Sequence, residues 1–342
     1  VRSTAPLRIL DREQMLNLGV TDVADALHRM AGITLRDYGG AGGLKTVSVR
    51  GFSAKHTGVS YDGIMLSDCQ SGEIDLSRYS LDNVEYLSLV VGDNDDIFIP
   101  ARNASASAVL NIQTIGMPTG DKRPHLTAQL KAGSFGYISP FLRYEQNLSK
   151  TFAFSVVGEY TYAENDYPYE VKNVTQVVKD VRKNSRMNTG HGELNIDWHP
   201  DECNSLSAKL YYDGNCRQLP GIVRLYTREN HERLIESTAF GQLRLKSYVN
   251  KQWALLVNAK YNWAKSDYEN RTPGSGLGDA AYWQREIYGS ASVLYTPGHW
   301  LSLNYAVDAL ENVSEALRDR EMCLAAMKSR YGCGAPLQYV PE

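Results

Sequence analysis

Nowhere in this sequence is there an apolar run of about 18 residues, so no segment can cross a bilayer as a helix. Cysteine is scarce: Cys69, Cys203, Cys216, Cys323 and Cys333 are odd in number, with no CxxC pair and no zinc-type spacing. That argues against a complete disulfide framework, although Cys203–Cys216 or Cys323–Cys333 could bridge in an oxidising compartment. No sign of charge dominates either. The 36 basic and 39 acidic residues leave a net charge of −3, which offers nucleic acid no electrostatic footprint. GxSxG, HExxH and phosphate-loop signatures are missing, so neither an enzyme nor a cofactor is expected. His56 has no second ligand at metal spacing, and Asp166, Asp180 and Asp213 lack the spacing of a calcium loop, so no metal site is expected.

What is plentiful is tyrosine, 22 residues against 7 Phe and 5 Trp. A ring with a polar tip suits a surface where oil meets water, and equally a Tyr-rich sheet in water. The chain divides into two grammars. Residues 1–117 read as a mixed α/β unit. Asp11 and Glu13 open a short helix to Leu18, stopped by Gly19, and Thr21 or Asp22 opens a second over Val23–Met30, ended by Gly32. Short β runs follow at Thr46–Arg50, Gly58–Tyr61, Glu85–Val91 and Ala108–Gln113. The polar, Gly-rich loops between them are long for so small a unit, as in a domain built to touch something.

From residue 125 the pattern becomes long alternation. Phe152, Phe154, Val156, Tyr160 and Tyr162 share one face, as do Trp253, Leu255, Val257, Ala259, Tyr261 and Trp263. Strands are expected near 125–134, 138–147, 151–163, 188–199, 204–213, 237–249, 252–265, 284–296 and 299–309. They exceed the usual soluble strand of about 5–6 residues and match the roughly 9–11 that cross a bilayer at a tilt. Short turns at 148–150, 200–203, 250–251 and 297–298 alternate with long polar segments at 164–187, 214–236 and 266–283. Unequal ends of this kind mark an outer-membrane barrel, with short periplasmic turns and long outer loops. Trp253, Trp263, Trp300 and Tyr162 lie toward strand ends, where an aromatic girdle would sit. Glu311–Arg330 instead reads as an amphipathic helix, with Val313, Leu317, Leu324 and Met327 apolar, so 310–342 is expected to be an outer loop or an aberrant end.

The first half resembles the plug of TonB-dependent outer-membrane receptors. Gly42-Gly43-Leu44-Lys45-Thr46-Val47-Ser48-Val49-Arg50-Gly51 is similar to the family's strand ending in Arg-Gly. Tyr61-Asp62-Gly63-Ile64 resembles its Asp-Gly turn, and Val84-Glu85-Tyr86-Leu87 through Gly92 its third signature. Val109-Leu110-Asn111-Ile112 resembles the closing strand, and Val23–Leu27 through Ala31-Gly32-Ile33 the plug helix and its turn. Gly92 is followed by Asp93 where the family has Gly-Pro, a departure that bears on local loop shape.

The resemblance implies an α/β plug domain (1–117) followed by an antiparallel transmembrane β-barrel, incomplete in this chain (125–309), in a bacterial outer membrane. A barrel around such a plug needs about twenty-two strands, and nine can be placed. It implies energy-coupled import of a scarce nutrient, with TonB as periplasmic partner, its binding segment expected upstream of the linker-like residues 1–8. Outer-membrane lipid is the surrounding phase, and a surface lipoprotein is a further partner left open. The Gly39–Gly43 run and Asp68–Asp75 resemble the ligand-facing loops of cobalamin-type members, so cobalamin or another corrinoid is the cargo put first, with a ferric siderophore as alternative. An adhesin or structural barrel without transport is the alternative of another class; a plug speaks against it. Tyr38, Leu44, Lys45, Ser53, His56, Thr57, Gln70, Ser71 and Glu73 are the expected ligand contacts. Arg50 is expected as a buried lock between plug and wall, because a desolvated guanidinium must be paired, and Asp62 as a second plug–barrel contact.

Overall fold

The structure is a computed structural model that describes residues 7–20, 22–37, 43–51, 53–68, 72–92, 96–117, 121–173, 176–223, 230–273, 278–298, 300–318 and 324–329. The N-terminal unit contains β1 (Leu7–Asp11), α1 (Arg12–Leu18), α2 (Val23–His28), β2 (Ile33–Asp37), β3 (Lys45–Val49), β4 (Thr57–Tyr61), β5 (Ile64–Met65), β6 (Val84–Val91), α3 (Ala101–Ser105) and β7 (Ala108–Thr114). α1 starts where Asp11 and Gln14 form a reciprocal capping box and stops at Gly19, left-handed at φ +62°. Asp22, not Thr21, caps α2 by accepting from the Asp25 amide. β1, β6, β7, β4 and β5 form one sheet in that order, with β4 and β7 parallel; β2 and β3 pair separately. The core between helices and sheet holds Val23, Leu27, Leu76, Leu87 and Leu110, all fully buried.

The second unit is a single antiparallel sheet of ten strands in the order β19-β18-β17-β16-β15-β14-β13-β10-β9-β8. Its members are β8 (His125–Ala132), β9 (Ile138–Asn147), β10 (Phe152–Ala163), β13 (Met187–Trp198), β14 (Asn204–Leu219), β15 (Glu232–Tyr248), β16 (Trp253–Asn270), β17 (Ala280–Gly298), β18 (Leu301–Arg318) and β19 (Leu324–Ser329). A small hairpin, β11 (Pro168–Asn173) and β12 (Gln176–Val181), rises from the β10–β13 connection. Every wall strand expected from the alternation is present. The later ones run longer, 18 and 19 residues for β16 and β17, so much of the expected loop length is strand extended past the span of a bilayer.

Residues 311–318, expected within a helix, lie inside β18 and pair with 280–287 of β17. Apolar Val313 and Leu317 fit helical spacing as well as strand alternation, and the β17 edge supplies hydrogen bonds an isolated helix would lack. Cys203 and Cys216 are free thiols near the two ends of β14, so no bridge joins them; Cys69, Cys323 and Cys333 lie outside the described residues.

The wall's two faces differ as the alternation requires. Leu126, Leu130, Leu142, Val156, Leu210, Leu243, Tyr261, Ile287 and Val307 are exposed on one face. Trp198, Tyr248, Trp253 and Trp300 stand exposed beside the short turns, and Trp253 stacks on Tyr295 at 4.3 Å between ring centroids. An apolar band edged by aromatic rings is the surface a bilayer selects. The opposite face is turned to the N-terminal unit.

Candidate functional site

Register aligns one inward row across seven strands: Arg143, Val157, Glu193, Tyr211, Phe240, Asn262 and Glu286, all buried. This belt grips the plug. The Tyr211 and Phe240 rings stack at 4.3 Å and join the plug's own apolar core, against Tyr61 and Tyr79. Glu193 accepts from the Tyr61 hydroxyl at 2.6 Å, from Asn83 Nδ2 at 3.0 Å and from Lys209 Nζ at 2.9 Å. The Lys209 ammonium also pairs with Asp62 at 2.6 Å and sits 4.3 Å from the Tyr61 ring centre. Charges taken out of water are tolerable only with such saturation. Burial, then the Glu193 carboxylate beside it, holds the Tyr61 phenol well above its ordinary pKa, so it remains a neutral donor.

Four further ties surround this one. Arg143 donates to Asn83 Oδ1 at 2.7 Å and to the Ile115 carbonyl at 2.9 Å. Lys260 pairs with Glu286 at 2.7 Å and donates to the Met65 carbonyl at 2.8 Å. On β18, Asp308 accepts from the Arg102 amide at 2.7 Å and from the Tyr288 hydroxyl at 3.0 Å, tying α3 to the wall. From the plug side, Arg78 reaches Glu236 and Thr238, each at 3.0 Å. Burial opposes its charge, but Asp75 and Glu236 more than offset that and raise its pKa.

Asp62, in the N-terminal unit, thus meets the wall through Lys209. It sits at φ +50° before Gly63 at φ +85°, in the tight turn between β4 and β5. Its carboxylate also accepts from the Thr114 amide at 2.8 Å, and its carbonyl from Arg244 Nη1 at 3.0 Å. A Cβ on Gly63 would stand 2.2 Å from Arg244 Nη1, so that guanidinium would have to shift, and the positive φ favours glycine there. Arg50 is different. It is exposed, in a left-handed turn at φ +50° after β3, so the buried lock expected of it is not made there. The strand-end turn points it outward, and wall-borne Lys209 and Arg143 supply the buried cations instead.

Between plug and wall, toward the end with the long connections, lies a cavity of about 760 Å³. Of the expected ligand contacts, Lys45 lines it, buried and paired with Asp22 at 2.5 Å. Leu44, Ser53 and Glu73 are half-buried, His56 is exposed and Thr57 is buried at the start of β4; none of these lines the cavity. Tyr38, Gln70 and Ser71 lie outside the described residues. The wall residues His191 and Asp213, and Tyr79 from the plug, line the cavity and were not singled out from the sequence as ligand contacts. Their signal was ionisable or aromatic character on the inward phase of the alternation.

The sequence model for the family described as "TonB-dependent Receptor Plug Domain" matches residues 1–98. The N-terminal unit, over those residues, thus matches the plug of TonB-dependent receptors. Solved structures with the same fold extend the likeness through the wall. The copper transporter OprC superposes with a TM-score of 0.69 at 17% identity, over 96% of this chain and 47% of its own. The siderophore receptor PiuA from Acinetobacter baumannii gives 0.66 at 15% identity, over 91% and 46%. The ferric yersiniabactin uptake receptor FyuA from Yersinia pestis gives 0.68 at 12% identity, over 91% and 49%. This chain thus spans about half the length of those structures.

Proposed function

We propose that this receptor chain carries the plug and leading wall of an energy-coupled importer, which takes a scarce nutrient across the outer membrane when TonB pulls on the plug. The observation that carries the reading is the plug seated on the wall's inward face by saturated, buried charge pairs around Glu193 and Lys209. Such pairs hold the closed state firmly yet involve few residues, so a pull can break them in sequence. A passive barrel has no use for them. Cargo enters from the side of the long connections, where the 760 Å³ cavity lies, and no bond of the cargo is broken.

For cargo, a corrinoid is put first, on the resemblance of 39–43 and 68–75 to cobalamin-type loops, most of which fall outside the described residues. A ferric siderophore is the second reading, favoured by the likeness to PiuA and FyuA, which are described as siderophore and ferric yersiniabactin receptors. Calorimetry on the complete receptor with cyanocobalamin and a ferric siderophore side by side separates the two. Heat with cyanocobalamin alone supports the first; heat with the siderophore alone overturns it. A receptor that binds neither, and whose cells take up neither, removes both cargo classes.

A further inference from the structure

The cavity between plug and wall has an unbalanced lining. Each cation around it already has a carboxylate: Lys45 has Asp22 at 2.5 Å, Lys131 has Asp82 at 2.6 Å and Arg78 has Glu236 at 3.0 Å. Two wall carboxylates in the same lining do not. Glu159 and Asp213 have no ion-pair partner among the described residues; Glu159 accepts only a hydroxyl hydrogen bond from Ser139, at 3.1 Å. They flank His191 in strict register, Glu159 opposite His191 and His191 opposite Asp213, on β10, β13 and β14. The Cβ atoms of directly opposed residues in an antiparallel pair stand about 5 Å apart, so the three are neighbours on one stretch of the wall.

The polarity of that surface is set from behind. His191 Nε2 lies 2.8 Å from Glu193 Oε1. A carboxylate only accepts, so Nε2 carries the hydrogen of this bond. His191 Nδ1 and Asp213 Oδ2 are both buried without a hydrogen-bond partner, on residues 8% and 2% exposed. Buried polar atoms of this kind in a native wall call for a partner. Among the described residues no group of three metal-ligating side chains converges, so the acceptors are not arranged as a chelate.

We propose that this cavity holds a subsite for an organic cation, an ammonium or guanidinium head seated against Asp213 and Glu159. Such a head offers several N–H donors and one positive charge to two carboxylates that no cation of the described residues meets in an ion pair. The proposal rests on the import reading only in taking the occupant to be part of a cargo. Cargo bearing a free amine is then favoured over the same cargo acylated.

The test uses the complete receptor in detergent at fixed ionic strength, with spermidine as probe and 1,8-octanediol as uncharged control of similar length. Spermidine is expected to bind one saturable site, and the diol none. Asp213→Asn and Glu159→Gln should each weaken spermidine by at least about tenfold, the scale of one lost charge-assisted hydrogen bond. Glu202→Gln, at an exposed position in the turn after β13, should leave it unchanged. Both wall variants keep side-chain shape, and an unaltered thermal transition checks that they fold. No spermidine binding, equal binding of the diol, or equal affinity in Asp213→Asn overturns the subsite. Uptake of the receptor's cargo, measured in the same strains, tests the import reading separately: intact uptake without spermidine binding removes the subsite and leaves the importer.

Discussion

Replacing Lys209 by methionine tests the tie between plug and wall. The ammonium is buried between Asp62 at 2.6 Å and Glu193 at 2.9 Å, and also donates to Thr114 at 3.3 Å. Methionine keeps the stem and deletes the charge. Glu193 would retain Tyr61, Asn83 and His191 as partners but would lose its closest cation from the wall's next strand. Removing one partner of a buried pair costs about 3–5 kcal/mol, because the other charge stays desolvated. That converts to roughly 10²- to 10⁴-fold in the opening equilibrium. Hydrogen exchange of the amides of β4 and β7, which carry Tyr61 and Thr114, reads that equilibrium directly. Their exchange should accelerate by that factor while amides of β16, on the far side of β15, keep their rate. Adding Glu193→Gln and Asp62→Asn should recover part of the loss, since the stranded charges then disappear. Unchanged exchange at β4 and β7 in Lys209→Met would refute the idea that these pairs hold the plug.

Three other outcomes follow from the same geometry. Gly63→Ala puts a methyl group against Arg244 at a positive φ, and should destabilise the β4–β5 turn by about 1–3 kcal/mol, read as faster exchange at Ile64 and Met65. Leu243→Arg places a charge on the exposed apolar face and should cost about 2–4 kcal/mol, seen as a lower folded fraction in lipid vesicles; an equal yield would deny that this face meets lipid. Asp308→Ala removes the acceptor of the Ala101 and Arg102 amides, so trypsin should cut after Arg102 faster than in the parent, and an equal rate would remove that tie.

The fold was legible where period alone decides structure. Tyr261 and Val257 on one phase and Lys260 and Asn258 on the other give β16 its two faces without reference to any neighbour. Asp11, Gly19 and Gly32 likewise punctuate the plug by local backbone chemistry. The candidate site was less legible, because its contacts join residues far apart in the chain: Tyr61 with Glu193, Ser67 with Glu286, Arg102 with Asp308. Alternation marks Glu193 and Lys209 as inward but cannot say that a plug carboxylate waits there. Arg50 was misplaced for the same reason, since a strand-end arginine looks alike whether its turn faces the wall or solvent. The 311–318 segment was misread because apolar spacing of four residues satisfies both periods, and only pairing with β17 chooses between them.

The two faces of the wall see different phases, one lipid and the other the plug. A nitroxide scan through 253–263 of β16 in the receptor reconstituted into vesicles, reading collision with dissolved oxygen against a water-soluble nickel complex, addresses this directly. Oxygen contact should peak at Leu255, Val257, Ala259 and Tyr261 and fall at Leu256, Asn258, Lys260 and Asn262, with labels at the latter set immobilised. A scan without period two, or one in which both sets meet the nickel complex equally, would contradict the account.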